Sequence, residues 1–324
     1  MSIRLKGSRR KSTSLHREAE AIVRAVWIEA LNECVVEDCG LDGVPDIIEE
    51  RLEEQFTLSD LHDRVRKGEA RLRNYPYLPA FFKALKREGI HDLEDVQFLV
   101  SSNAFVDLTL GSAYNGSILQ YCRRRKIGDK EYIIITSRAK GYNNETYNSR
   151  PYGVCFEEYL TVKERPSAKK QDLVYNLTKV TLGDLTFLVK SEIDAKANED
   201  LVEIKCHPYP SPKSRHVLRS KIFRKAYLGM MSNVIYSGVA PGQIDNLPDD
   251  STFQPKAYDV ESMVKKDKKF KKEFRLCELI CEHLLRLFKK HPDVDIIQVA
   301  KVEEDTKIYF VKVEKQKENV DNTE

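Results

Sequence analysis

The stretch Leu188–Pro208, LVKSEIDAKANEDLVEIKCHP, places Glu192, Asp194, Glu203 and Lys205 at alternating positions in two strand-like segments joined by a polar turn. In a strand, residues i and i+2 share a face. Glu192 and Asp194 therefore point one way and Ile193 and Ala195 the other. Glu203 and Lys205 share a face, with Val202 and Ile204 on the opposite one. A four-residue turn, Ala197 to Asp200, pairs Lys196 with Leu201, sets Asp194 opposite Glu203 and Glu192 opposite Lys205, and gathers all four groups on one face. A five-residue turn would split the two pairs between faces.

Two carboxylates ~5 Å apart repel by roughly 3 kcal/mol at an effective dielectric of 20, and like charges directly opposite in a sheet are disfavoured. A divalent cation reverses that sign, and carboxylate oxygens are the ligands that magnesium and manganese choose. A lysine beside them can hold a water or stabilise charge on a phosphate. The plainer account is a half-exposed hairpin in which Lys205 neutralises Glu192. A second acid upstream favours the metal. GVCFE, Gly153 to Glu157, opens a short helix that carries Glu157. Helix glutamate, strand Glu-x-Asp and strand Glu-x-Lys, in that order, form the layout of a metal-dependent nuclease core with a D-(x)n-E-x-K hairpin.

These motifs also support a narrower resemblance. GVCFE, EIDAK and EIK resemble the three acidic motifs of the DXO-type (Dom-3/Rai-like) decapping and 5′-3′ exoribonuclease family. They correspond to Gly-Φ-x-Φ-Glu, Glu-Φ-Asp-Φ-Φ and Glu-Φ-Lys, where Φ is apolar; Lys196 departs from the second. RSKIFRKAYLGMMSNVIYSGV, from Arg219, is similar to the basic helix and following strand of that family. The resemblance covers roughly residues 95–240. It implies that Glu157, Glu192, Asp194 and Glu203, with the carbonyl of Ile204, bind one or two Mg2+ or Mn2+ ions, and that Lys205 faces the scissile phosphate. It implies action on single-stranded RNA 5′ ends: removal of incomplete or nicotinamide-type caps or of pyrophosphate, with 5′-to-3′ degradation following. A monomer, working with or without a partner exonuclease, fits it. Two positions depart from the family. Thr109 or Leu110 stands where it carries a substrate arginine, and Leu228, one turn after Lys225, where it carries a glutamine. A family member that binds RNA 5′ ends or a protein without turnover, and a DNA nuclease of the wider superfamily, are the competing expectations.

KSRHVLRSKIFRK, Lys213 to Lys225, contains no acid. Arg215, Arg219, Lys221, Arg224 and Lys225, together with Lys205, are the expected RNA contacts, while Val217, Leu218, Ile222 and Phe223 turn inward. CRRRK (122–126) and KKDKKFKKEFR (265–275) read more simply as solvated runs.

The rest of the chain bounds these readings. Of 324 residues, 41% are hydrophobic and 32% charged, with a net charge of +3, which suits a soluble globular fold. No apolar run reaches the ~18 residues of a membrane span. MSIRLKGSRRKSTSLHREAE lacks the apolar segment of a secretory signal, so a nuclear or cytoplasmic protein is expected, with no membrane partner. The seven cysteines form no CxxC pair and read as reduced, mostly buried thiols. Residues 1–12 are expected to be a disordered basic arm, 13–314 a single nuclease domain and 315–324 a disordered polar tail. Ala21, Ile22, Ala25, Ile28 and Leu31 predict a helix over 13–35, with more helical pattern to about 98. FLVSSNAFVDLTL, Phe98 to Leu110, reads as a strand from its aromatic and β-branched content. The whole is expected to be α+β, with mixed, mainly antiparallel sheets flanked by helices.

Overall fold

The computed structural model describes residues 2–4, 14–28, 33–57, 59–60, 77–90, 93–113, 118–137, 151–161, 173–208, 212–239, 252–267, 269–302 and 307–313. The strands are β1 (Ser2–Arg4), β2 (Leu15–Ile28), β3 (Glu33–Asp38), β4 (Phe56–Thr57), β5 (Phe98–Ser101), β6 (Ile118–Ile127), β7 (Lys130–Thr136) and β8 (Leu173–Leu182). They continue with β9 (Leu185–Glu192), β10 (Ala195–Ala197), β11 (Asp200–Pro208), β12 (Asn233–Val239), β13 (Thr252–Phe253), β14 (Lys256–Asp259), β15 (Ile296–Lys301) and β16 (Lys307–Lys312). The α-helices are α1 (Leu78–Arg87), α2 (Ser102–Ala113), α3 (Pro151–Thr161), α4 (Pro212–Leu228), α5 (Val260–Lys265) and α6 (Phe270–Lys290).

Ten strands form a large sheet in the order β1-β16-β15-β6-β7-β5-β9-β8-β2-β3, and four form a smaller one, β10-β11-β12-β14. Most neighbours are antiparallel; β5 runs parallel to β7 and β9, and β11 to β12. The fold is α+β, as the sequence predicts. One face of the large sheet is covered by α2, α4, α5 and α6, whose Phe105, Phe223, Val264 and Phe274 join Phe187 and Val189 of β9. The other face takes α1, whose Phe81 and Phe82 pack with Tyr175 and Leu188. On the small sheet, Phe156 and Leu160 of α3 close over Val202, Ile204 and Ile235.

Three expectations need correction. The helix predicted over 13–35 is the hairpin β2–β3. Its apolar residues fit a 3.6 period, but β2 is held by ladders on both sides, to β8 and to β3, with a bulge between Ala19 and Ala21. That bulge breaks the strict alternation that marks a strand. The strand predicted over Phe98–Leu110 ends at Ser101, and α2 begins. The Ser101 hydroxyl accepts the Ala104 N–H at 3.2 Å and caps the new helix. Most of its described residues, Ala104, Phe105, Val106, Leu108 and Thr109 among them, are buried, which hid its period. Finally, Ser2–Arg4 do not belong to a disordered arm: they pair with Tyr309, Ile308 and Lys307 at the edge of the large sheet. Residues 5–13 and 314–324, on which the other terminal expectations fall, lie outside the described residues.

The run CRRRK, expected to be a solvated run, is instead part of β6 in the large sheet, with Cys122 buried and its arginines half-buried. Arg124 donates to the carbonyls of His291, Pro292 and Val294 at 3.1, 2.6 and 2.6 Å. It thereby satisfies the chain just beyond the C-terminus of α6, where a cation also suits the helix dipole. No helix among the described residues is long and apolar enough to cross a membrane.

Candidate metal centre

The acids meet where the chain leaves one sheet for the other. β9 carries the chain along the large sheet to Glu192, which is in register with Tyr175 of β8. The Ile193 N–H still donates to the Val174 carbonyl at 2.9 Å. Ala195 then begins β10 in the small sheet, and Asp194 sits at the crossing. The β10–β11 hairpin has the four-residue-turn register, with Lys196 opposite Leu201 and Ala197 opposite Asp200. Asn198 takes φ 56° at the turn, a left-handed conformation that asparagine tolerates. One expected pairing fails. Glu192 does not lie opposite Lys205, because the strand changes sheets before the hairpin begins.

The remaining motif residues converge. Lys205 Nζ lies 2.7 Å from Asp194 Oδ2, 2.8 Å from Glu203 Oε1 and 3.5 Å from Glu157 Oε1. It also donates to the Ile204 carbonyl at 2.7 Å. These four oxygens come from α3, the sheet crossing and β11, and four of the five expected metal ligands contribute them. Asp194 is fixed further by the backbone N–H of Ile204, at 2.8 Å to the same Oδ2. Burial pulls the Lys205 ammonium down, but Asp194, Glu203 and Glu157 outweigh it and hold the group well above its ordinary pKa.

Among the described residues, no three acidic, histidine or cysteine side chains stand as an open cage for a metal ion. The convergent oxygens are instead turned onto the Lys205 ammonium. The donor set nevertheless fits a hard cation. Glu203 is fully buried, and its second oxygen, Oε2, has no hydrogen-bond partner. A buried carboxylate oxygen left unpartnered is costly, and a divalent ion is one partner that would answer it.

The basic residues assigned to RNA divide. Lys225 points into the molecule: it is buried and donates to Glu203 Oε1 at 2.6 Å. Arg224 is buried too, bonded through Nε to Glu273 Oε2 at 2.6 Å and through a terminal nitrogen to Asp267 Oδ2 at 2.8 Å. Neither is an RNA contact, because each is turned onto a carboxylate of the protein. Lys221 is partly exposed and pairs with Asp107 at 2.6 Å. Arg215 and Arg219 lie on α4, and their side chains fall outside the described residues. The inward turn of Ile222 and Phe223 is as predicted.

Lys225 is the site residue that sequence reasoning misplaced. A signal was present: Ile222, Lys225, Ala226 and Gly229 share one stripe at i, i+3, i+4 and i+7, so Lys225 sits on the buried face. Gly229 shows how closely that face approaches β9, since a Cβ there would fall 2.9 Å from the Cβ of Ser191. Of the positions that depart from the family pattern, Thr109 and Leu228 are packed interior, and the side chain of Leu110, the other candidate for the arginine position, lies outside the described residues. Thr109 is buried, its hydroxyl donating to the Val106 carbonyl at 2.8 Å, and Leu228 belongs to the main core.

No protein-family model and no curated protein matches the sequence. Solved structures do match. S. pombe Rai1 in complex with 3′-FADP superposes with a TM-score of 0.69 at 12% identity, over 97% of this chain and 99% of that one. The chain has the Rai1/Dxo1 fold. Candida albicans Rai1 in complex with pU5-Mn2+ gives 0.64 at 11% identity, over 97% of this chain and 93% of that one. K. lactis Dxo1 in complex with manganese gives 0.60 at 14%, over 94% and 92%.

Proposed function

We propose that the protein is a divalent-metal-dependent hydrolase of RNA 5′ ends. It would remove incomplete or nicotinamide-type caps, or pyrophosphate from 5′-triphosphate RNA, and then degrade the chain from 5′ to 3′. The observation that carries this is the convergence of Glu157, Asp194, Glu203 and the Ile204 carbonyl on one cation position beside a fully buried, unpartnered carboxylate oxygen. The shared fold with Rai1 and Dxo1 structures that hold nucleotide ligands, RNA or manganese supports it.

Glu157, Glu192, Asp194, Glu203 and the Ile204 carbonyl would hold Mg2+ or Mn2+. The ion would supply a water of lowered pKa and neutralise charge on phosphate oxygens. Lys205, held among Asp194, Glu203 and Glu157, would serve as a donor to a phosphate oxygen or a water. The Ile204 N–H holds Asp194 in place for that work. Lys221, with Arg215 and Arg219 on the same helix, would follow the strand's phosphates.

A second reading, a protein that binds RNA 5′ ends with little turnover, is favoured by Thr109 and Leu228. Both are packed into the interior; Leu228, and Thr109 or its neighbour Leu110, stand where the resembled family has a substrate-binding side chain. One experiment separates the two. RNAs bearing labelled monophosphate, triphosphate, guanosine-cap and nicotinamide-cap ends are incubated with manganese, magnesium or chelator, beside the double change Glu192→Ala and Asp194→Ala. Metal-dependent release that disappears in the double variant is expected. Binding without release of any end supports the second reading.

A further inference from the structure

We infer that Lys225 is a resident cation of the candidate centre and limits it to one divalent ion. The inference rests on the proposed metal-dependent activity and asks how many ions the centre takes.

The geometry begins at Glu203. Its side chain is completely buried, and one of its oxygens, Oε1, receives two ammonium groups: Lys225 Nζ at 2.6 Å and Lys205 Nζ at 2.8 Å. The other oxygen is buried without a partner. Lys225 comes from the last turn of α4, an element separate from the hairpin. That helix is held against the large sheet at its C-terminal end, where Asn176 of β8 donates to the Gly229 carbonyl at 2.6 Å. Lys225 therefore cannot swing to solvent as a surface lysine can.

Charge then sets the number of ions. Glu157, Asp194 and Glu203 bring three negative charges to this point, and Lys205 and Lys225 return two. One divalent cation more than balances the single negative charge that is left, and a second would meet a net positive site. Glu203 Oε2 is open to it, whereas a second ion on Oε1 would sit against two ammoniums. A lysine buried next to a carboxylate occupies the electrostatic place of a second ion without exchanging with solvent.

The test counts bound ions and needs no turnover. Manganese is titrated into the full chain, and free Mn2+ is read from its paramagnetic resonance signal; thermal melts check folding. The unmodified chain is expected to bind one ion. Lys225→Gln and Lys225→Met, which remove the charge, are expected to bind two. Lys225→Arg, which keeps it, is expected to bind one. Two ions on the unmodified chain, or one on both neutral variants, overturns the inference and leaves the proposed function standing. No ion on any folded form overturns the proposed function itself. If the neutral variants do not fold, the count on the unmodified chain decides: one upholds the inference and two overturns it.

Discussion

Arg224 and Lys225 are neighbours on one helix, yet they enter two different ionic clusters. Arg224 reaches away from the small sheet to Glu273 of α6 and to Asp267, and a third bond runs to the Ser220 carbonyl at 3.1 Å. Lys225 reaches Glu203 on β11. Both clusters are buried, and both contain a carboxylate oxygen without a partner, Glu273 Oε1 in one and Glu203 Oε2 in the other. An orphaned oxygen alone therefore does not mark a functional site. In the Arg224 cluster, burial pushes the Glu273 carboxyl above its ordinary pKa although Arg224 pulls it back. The cluster ties α4 to α6. In the Lys225 cluster, three carboxylates and a carbonyl from separate elements converge on one point. Convergence, and not burial, distinguishes this cluster from that of Arg224.

The largest effect should follow from Glu203→Gln. It keeps the shape of the side chain and removes the charge on which both ammoniums depend. The proposed RNA 5′-end hydrolysis is expected to fall at least roughly 10²-fold, read as initial rate at saturating manganese. Glu273→Gln should leave that rate nearly unchanged. Equal losses in the two variants would erase the distinction between the clusters.

Arg224→Ala tests the scaffold. It leaves Glu273 and part of Asp267 buried beside an empty space, and breaking a buried ion pair from one side costs about 3–5 kcal/mol. Denaturant midpoints should show that loss. The double change Arg224→Met with Glu273→Leu should recover most of it, because the pair is then absent on both sides. A loss below ~1 kcal/mol for Arg224→Ala would mean that the cluster is not the brace described here.

Lys190 offers a third kind of buried cation. Its Nζ lies 3.9 Å from the Tyr175 ring centroid and 4.5 Å from that of Phe81. Burial pulls its pKa from 10.5 down to about 8, with Cys34 and Glu192 acting the other way. Between those two values the unfolded chain binds more protons than the folded one, so this group makes stability rise with pH from about 8 to about 10.5. Below that window the folded state carries the full penalty. Lys190→Met should therefore stabilise the protein at pH 7, by at most about 3 kcal/mol, less the lost cation–π contacts. The gain should shrink as pH approaches 10. Melts at pH 7 and pH 10 read the difference, and a gain that does not shrink would point to packing.

The candidate site was more legible than the fold around it, for a physical reason. Within the β10–β11 hairpin, face and register follow from a period of two and from turn length. Asp194, Glu203 and Lys205 could therefore be brought together by counting. Glu192 escaped that count because the change of sheet at Ile193 depends on what β8 and β12 offer as partners. The β2–β3 hairpin was hidden because its pairing comes from a strand some 150 residues away in sequence, and the bulge at Ala19–Ala21 blurs its alternation. The Ser101 cap of α2 was visible in Ser-Ser-Asn, but the β-branched residues around it argued for a strand. On α4, the acid-free run announced positive charge. Only the stripe through Ile222, Lys225 and Ala226 indicated that one of those charges faces inward.

The smallest predicted effect concerns Lys221, the one RNA-assigned residue of α4 with a described side chain that is neither buried nor turned inward. Its ion pair with Asp107 is partly exposed on both sides, with side chains 36% and 37% accessible. Exposed pairs contribute about 0.2–1 kcal/mol, so Lys221→Ala and Asp107→Asn should each shift the melting transition only slightly. Their double-mutant cycle should give a coupling under ~1 kcal/mol. The two changes should part in RNA binding. If Lys221 meets a phosphate, Lys221→Ala lowers the salt slope of binding by about 1, while Asp107→Asn, which frees the ammonium, leaves the slope unchanged or steepens it. A slope unaffected by Lys221→Ala would make this lysine part of the scaffold, alongside Arg224.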